Sequence, residues 1–414
     1  MHLRLLLFIW LLGTASAAQG AATLTTLATF NYSNGAIPEA ALTLDAAANL
    51  YGTTVSGGTS GDGTVFELSN KHRILTTLTT FNHRNGANPY AGLMSDASGD
   101  LIGETATGGA GSFGTIFALS GTGHQALTTL VNFNSINGSD SYSTMTSDAA
   151  GNFYGTTYSG GTNNNGTVFE LNGANHQTLT TLATFNSTNG KNPFAGLIAG
   201  ANGGLYGTTY SGGTNGMGTV FELTGAGHKT VVTLANLGGE NGKYTYGNVV
   251  SDAAGNLYGT TFQGGDNGDG TIFELSGSDR QTFTTLANFA GMNGSNPVAG
   301  LIIDAAGNLF GTTEKGGAKG DGTIFELSGS DHRTLTVLLD FNGNNGANPF
   351  ASLTSDTAGN LYGTTASGGI DDDGTVFELT NSGFVVPEPS SYGFPATICI
   401  ALLSFRRRTC PVAV

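Results

Sequence analysis

Short stretches of apolar-centred, β-branched and aromatic residues recur from one end of the chain to the other, each closed off by Gly, Asn, Asp or Ser. Met145-Thr-Ser-Asp148, Asn152-Phe-Tyr-Gly-Thr-Thr157, Thr167-Val-Phe-Glu-Leu171 and Leu179-Thr-Thr-Leu-Ala-Thr-Phe185 form one such set. Runs of this length and composition, bounded by turn residues, predict β-strands, and the 3.6-residue apolar period of a helix is absent. Asp-Gly pairs at Asp62, Asp269, Asp321 and Asp373 fall where tight hairpin turns are needed.

The four-strand set repeats. Gly-Thr-Val-Phe or Gly-Thr-Ile-Phe begins at Gly63, Gly114, Gly166, Gly218, Gly270, Gly322 and Gly374. Gly-Thr-Thr runs in register with it from Gly52, Gly155, Gly207, Gly259, Gly311 and Gly363, with Gly-Glu-Thr at Gly103. Four antiparallel strands in a unit of this size make a propeller blade, whereas a parallel β-helix has a much shorter rung. The expectation is an all-β, seven-bladed β-propeller. Its last copy stops at Leu379 without a fourth strand, and the missing strand stands at Leu24 to Phe30. That N-terminal strand should complete blade 7 and remove an open edge.

Composition agrees. Glycine occurs 67 times, proline 9 times, and charged residues are 10% of the chain. This suits many tight turns and does not suit a disordered, charge-rich chain. A net charge of −15 makes nucleic acid an unfavourable partner. Both cysteines, Cys399 and Cys410, lie at the C-terminal end, so the body has no disulfide, thiolate metal site or cysteine nucleophile.

The two ends read as addresses. Met1-His2-Leu3-Arg4, an apolar run from Leu5 to Leu12 and Ala15-Ser16-Ala17 form a secretory signal peptide over residues 1–17. The propeller is expected over 18–383 and a tail over 384–414. In that tail Pro387-Glu388-Pro389 precedes a mostly apolar stretch and then Arg406-Arg407-Arg408. The order resembles the PEP-CTERM sorting signal, and the resemblance implies exosortase-type sorting machinery as a partner and transient membrane association through the tail. Arginines beside an apolar segment stay cytoplasmic, leaving the body outside. The expected address is export, to the cell surface or the extracellular space. The phrases Asn256-Leu-Tyr-Gly-Thr-Thr261 and Gly-Asp-Gly-Thr-Ile-Phe-Glu-Leu275 are similar to the GloVer-type tandem repeat of bacterial exported proteins. That resemblance runs from about Leu24 to Leu379 and implies no catalytic residues.

Residues present in every copy are expected to be scaffold. This covers the Glu after Phe (Glu67, Glu170, Glu222, Glu274, Glu326, Glu378, replaced by Ala118 in the second copy). It also covers the Asp of Ser-Asp-Ala-Ala-Gly-Asn, expected to form an Asx turn. The turn histidines His72, His124, His176, His228 and His332, with Arg280 in the fifth copy, are expected to be exposed. Calcium is the one cofactor the sequence admits, at Asp266 with Asp269 and at Asp371, Asp372 and Asp373. Ligand binding is expected where copies depart from the consensus: His83, Arg84 and Tyr90 in the second copy, Tyr142 in the third, and Glu240, Lys243, Tyr244 and Tyr246 in the fifth. Aromatic rings beside Asn and charged groups suit carbohydrate. No catalytic residue is assigned. The reading is a non-catalytic binding or structural protein, associated with polysaccharide or with surface proteins. The alternative is a secreted carbohydrate-active hydrolase or lyase with its site at the propeller funnel.

Overall fold

A computed structural model describes residues 20–386 except 70, 73, 175, 201, 202 and 330. Seven four-stranded antiparallel sheets follow one another, each in the order first, second, third, outer strand. They are the blades of a β-propeller. In blade 1 the strands are Thr43–Leu44, Leu50–Thr54, Thr64–Ser69 and Ile74–Thr80. Blade 7 is completed by the N-terminal strand Thr23–Thr29, whose Thr23 pairs with Thr380 and Thr29 with Thr375. The ring is therefore closed by chain segments from opposite ends of the sequence, and it leaves no unpaired third strand.

Burial follows the strand roles. The second strand, Leu-Tyr-Gly-Thr-Thr in most copies, is buried at all five positions, because its two faces pack against neighbouring blades. Its glycine has a packing reason: Gly52 lies directly opposite Phe66. A Cβ on Gly52 would sit 2.5 Å from the Phe66 ring. The aromatic ring covers the gap left by the missing side chain, and the same pair recurs in every blade. Gly63, before the third strand, holds φ +99°, and a Cβ there would meet the Thr54 carbonyl at 2.3 Å.

The cores lie between blades. Phe30, Leu42, Leu50 and Phe66 pack with Tyr362 and Val376 across the closing seam. At every seam but one the phenylalanine after the outer strand meets the third-strand phenylalanine of the next blade edge to face, as Phe81 with Phe117 at 5.1 Å; after the outer strand of blade 4 the position is Leu237. Second-strand threonines stitch the inner ends together: Thr53 Oγ1 donates to the Ala91 carbonyl at 3.0 Å, and Thr364 does the same to Ala40 across the closure at 3.3 Å.

The histidines differ from the sequence expectation. They are not exposed turn residues; they clamp the seams on one face. Each sits at positive φ, which throws its ring back over the preceding blade. His72 is 9% exposed, packs edge-on to Tyr362 at 5.0 Å and hydrogen-bonds the Ala48 carbonyl at 2.8 Å. His124 meets Tyr51, His228 meets Tyr154, His332 meets Tyr258, and the Arg280 guanidinium lies 4.7 Å from the Tyr206 ring centre. Blade 2 carries Ile102 at the tyrosine position, and there His176 turns to Asp96 at 3.7 Å instead. At the last seam Phe384 takes the clamp position against Phe310, as the chain beyond the last strand crosses onto blade 6.

The recurrent carboxylates are also structural. Each Asp closes its turn: Asp148 Oδ1 accepts the amides of Ala150 and Asn152, both at 2.9 Å. The second-strand tyrosine stands opposite the recurrent Glu, as Tyr362 opposite Glu378, and its hydroxyl lies 3.0 Å from both Glu378 and Asp356. In blade 2 both members change together, Ile102 standing opposite Ala118.

Candidate functional site

Antiparallel alternation puts the loops between blades, and those between second and third strands, on the face opposite the histidine clamps. One repeat position on that face is the residue after the loop proline, or after Ser141 and Thr245 in the third and fifth copies. Reading round the ring it is Glu39, Tyr90, Tyr142, Phe194, Tyr246, Val298 and Phe350. Its occupants in blades 2 to 5 touch in sequence. Tyr90 meets Tyr142 at 5.1 Å, Tyr142 stacks on Phe194 at 4.7 Å and 12°, and Phe194 meets Tyr246 at 4.9 Å. A second position, just after Gly-Thr-Thr, adds Tyr158, Tyr210 and Phe262 behind them. Tyr142 lies 5.6 Å from Tyr158, and Tyr246 lies 5.1 Å from Tyr210 and 5.0 Å from Phe262. The result is a continuous aromatic wall around half of the channel mouth. Tyr142 is pushed up to about 12 by burial and then by Asp140 and neighbouring tyrosines, so its hydroxyl stays a neutral donor.

The other half of the mouth is different. Glu39 (blade 1) and Glu314 (blade 6) occupy the two positions there. Burial first, and then the charge of Glu314, push Glu39 up to about 7. Glu314 is paired with the exposed Lys315 ammonium at 3.2 Å.

Beneath the wall, blade 2 carries Glu104 where other blades carry a seam threonine. It is 1% exposed, and burial pushes it up to about 8. Ser141 Oγ lies 2.9 Å from Glu104 Oε1 and 3.0 Å from the Thr156 carbonyl. A serine has a single proton, so a neutral Glu104 donating to Ser141 satisfies both contacts. Ser141 stands where five of the other six loops have proline, the remaining one having Thr245, and Ser143 beside it reaches Thr156 Oγ1 at 3.2 Å. The Ser-Asp-Ser-Tyr departure in the third copy thus accommodates a buried acid.

Of the residues expected to bind ligand, Tyr90, Tyr142 and Tyr246 meet in the wall. Tyr244 joins its outer edge, stacked on Tyr210 at 4.8 Å, with the Lys243 ammonium 5.6 Å from its ring centre. His83, Arg84 and Glu240 stay on exposed loops; His83 reaches Ser112 at 3.3 Å, and Glu240 sits in the short 3-10 turn Gly239–Asn241. Phe194, Tyr158, Tyr210, Phe262, Glu39 and Glu314 were missed by the search for departures. Aligning one repeat position across all copies is the signal that finds them.

The aspartates serve their loops. Asp266 accepts from Asn288 at 3.0 Å, and Asp372 accepts the Gly368 amide at 2.8 Å. Asp371 and Asp373 flank Asp372, and Asp373 is pushed up by burial and by both neighbours; at Asp269 it is the main-chain carbonyl that accepts the Asn296 amide, at 2.8 Å. Among the described residues no group of three or more His, Cys, Asp or Glu side chains is placed to hold one ion. The signal peptide and the sorting residues Pro387, Glu388, Pro389, Arg406, Arg407 and Arg408 lie outside the described residues.

The profile of the Gloeobacter/Verrucomicrobia repeat matches residues 13–221 and 196–387, which is nearly the whole propeller. The chain belongs to this repeat family. No curated protein matches the sequence. Among solved structures the chain is similar to one described as the extracellular domain of a one component system from B. thetaiotaomicron. The TM-score is 0.53 at 12% identity, over 82% of this chain and 38% of that one. It is also similar to a fungal alcohol oxidase of the AA5 family in complex with copper, with TM-score 0.56 at 16% identity, over 86% of this chain and 75% of that one. At such identity these likenesses speak to fold alone. In this member of the Gloeobacter/Verrucomicrobia repeat family, the copies are near-identical in their strands and diverge where they face the channel mouth.

Proposed function

We infer that this protein is an exported binding module that holds a glycan chain across the mouth of its channel. The observation that carries the reading is the unbroken aromatic contact from Tyr90 through Tyr142 and Phe194 to Tyr246. Half-buried aromatic rings with a few fixed polar groups suit a ligand that offers apolar C–H faces edged with hydroxyls. Four phenol groups in the wall, on Tyr90, Tyr142, Tyr158 and Tyr246, are held neutral by burial and nearby charge. A non-catalytic role fits the wide separation of His83 and Glu240, whose side chains stand on separate loops away from the wall. Export rests on the N-terminal segment and on the Pro-Glu-Pro, apolar, tri-arginine order of the tail, which also supports exosortase-type sorting as the route to the surface.

The test is a glycan-array screen of the full chain, run with calcium and with a chelator. Selective glycan binding that Tyr142→Ala and Tyr246→Ala abolish, with both variants folded by circular dichroism, is the expected result. Loss of binding in chelator would assign calcium a part in it. Folded protein that binds no glycan overturns the reading in favour of a structural coat component.

A further inference from the structure

The loop that presents Tyr142 is held unlike its neighbour in blade 2. Between blades 1 and 2, Thr53 Oγ1 donates to the Ala91 carbonyl at 3.0 Å, and Pro89 stiffens the backbone beside Tyr90. Between blades 2 and 3 neither device is present: Glu104 replaces the threonine, and Ser141 replaces the proline. Main-chain hydrogen bonds anchor the start of the loop, from the Ser139 amide to Ser159 at 3.0 Å and from the Tyr158 amide to the Asp140 carbonyl at 2.9 Å. Among the described residues, the hydrogen bonds that hold residues 141–143 all come from side chains. Ser141 meets Glu104 and the Thr156 carbonyl, and Ser143 meets Thr156 Oγ1. Tyr142 stands in the middle of this stretch and touches Tyr90, Tyr158 and Phe194.

Those contacts suit one protonation state of Glu104. Ser141 has a single proton, and Glu104 Oε1 at 2.9 Å and the Thr156 carbonyl at 3.0 Å both compete for it once Glu104 is ionised. Glu104 Oε2 is buried and has no hydrogen-bond partner among the described residues. Ionisation therefore leaves buried acceptors without donors, on a residue only 1% exposed. On its own sheet Glu104 stands opposite Ile116. The titratable groups on the elements packed against it are Asp140 and Tyr142 in the loop, Tyr154 and Tyr158 on and after the second strand of blade 3, and Tyr90 in its own blade. None is a cation. Relief comes most readily by movement of residues 141–143, which lack a main-chain anchor, and Tyr142 moves with them.

We propose that Glu104 is a positioning residue for the aromatic wall: its neutral carboxyl holds Ser141, Ser141 holds Tyr142 in place, and ionisation of Glu104 releases that ring and weakens binding at the mouth. The effect on binding rests on the glycan-binding reading above; the movement of the ring rests on the loop alone. The wall is complete while Glu104 keeps its proton and loosens as pH rises through its folded value of about 8. Glu39 acts on Tyr90 over a neighbouring range, so the share due to Glu104 is the part that Glu104→Gln removes. Glutamine keeps a donor for Ser141 and cannot ionise.

The test is a near-ultraviolet circular dichroism titration of the full chain from roughly pH 6 to pH 9, below ordinary tyrosine ionisation. The tyrosine signal should change in a step centred near pH 8 while the far-ultraviolet spectrum stays constant. Glu104→Gln should abolish that step, and Tyr142→Ala should remove most of it because the moving ring is gone. Calorimetric titration then uses a β-1,4-linked glucose oligomer, which has no ionisable group, and any neutral glycan the array selects. Affinity should be about ten-fold weaker at pH 9 than at pH 7 in the native sequence, and equal at the two in Glu104→Gln. No step in the folded protein, or a step that survives Glu104→Gln, overturns the positioning role. A step accompanied by pH-independent affinity overturns the control of binding. A step in a protein that binds neither the oligomer nor any array glycan overturns the glycan reading while the positioning role stands.

Discussion

Glu104 Oε1 and Ser141 Oγ lie 2.9 Å apart across the seam between blades 2 and 3, in a ring whose other seams are closed by a threonine and a carbonyl. Each residue departs from its repeat consensus, and each makes the other tolerable. Glu104 alone would bury a carboxyl without a partner, and Ser141 alone would give up a proline that stiffens its loop. Restoring the consensus in one member, Glu104→Thr or Ser141→Pro, should therefore destabilise the protein by about 1–3 kcal/mol. The double variant should recover much of that loss. Urea denaturation of the four proteins gives the coupling, expected at about 1–2 kcal/mol. Strict additivity would mean the pair is not coupled.

The same acid makes stability depend on pH. Glu104 titrates near 4.5 when unfolded and at about 8 when folded. A raised folded value means the native state holds its proton more firmly. The stabilisation is complete below the unfolded value and is lost as pH rises through about 8. Glu39, raised to about 7, acts in the same direction at lower pH. Melting temperature should fall between roughly pH 5 and pH 9, and Glu104→Gln should flatten the upper part of that fall. A Gln variant with an unchanged pH profile would show that Glu104 is not buried as a neutral acid.

Closure of the ring has its own signature. Phe30 follows the N-terminal strand and packs at 5.1 Å on Phe66 of blade 1, with no exposure. Phe30→Ala should cost about 3–5 kcal/mol, as for other large core deletions, although the residue is near the start of the chain. Thermal melting of the variant measures it; a small effect would mean that the N-terminal strand does not latch the ring.

Gly52 tests the fit between second and third strands. A methyl group there would stand 2.5 Å from the Phe66 ring. Gly52→Ala should cost about 1–3 kcal/mol by overpacking. Adding Phe66→Leu, which clears the ring from that spot, should restore part of the loss in the same melting assay.

The Arg280 clamp separates packing from charge. Its guanidinium lies over Tyr206, and its Nε donates to the Gly255 carbonyl at 2.8 Å. Arg280→Ala should cost about 1–2 kcal/mol. Arg280→His, which installs the residue other copies carry, should cost less, as chemical denaturation of both variants would reveal.

Much of this architecture was legible in the chain. Strand boundaries in the third copy fall within a residue or so of those expected, for instance Thr167–Leu171 as the third strand. The closing role of Leu24 to Phe30 was readable from the missing strand after Leu379. Local propensity and a rigid period determine such features, because each strand's neighbours are set by short hairpins within the same copy. The histidine clamps were misread for a related reason. A turn residue looks exposed in one copy, and only the next blade over shows that positive φ lays its ring across a seam.

The sequence by itself determined seven copies, four strands in each, and a ring closed end to end, since these follow from patterning and hydrogen-bond pairing inside each repeat. The tertiary structure alone decided the site. Tyr90, Tyr142, Phe194 and Tyr246 are about one repeat apart in the chain and make no local pattern; the sevenfold arrangement brings them into edge-to-face or stacked contact, with Glu39 on blade 1 and Glu314 on blade 6 beyond the two ends of the run. Contacts at a shared axis depend on how blades are placed around it, and that placement comes from the packing of the seams between them.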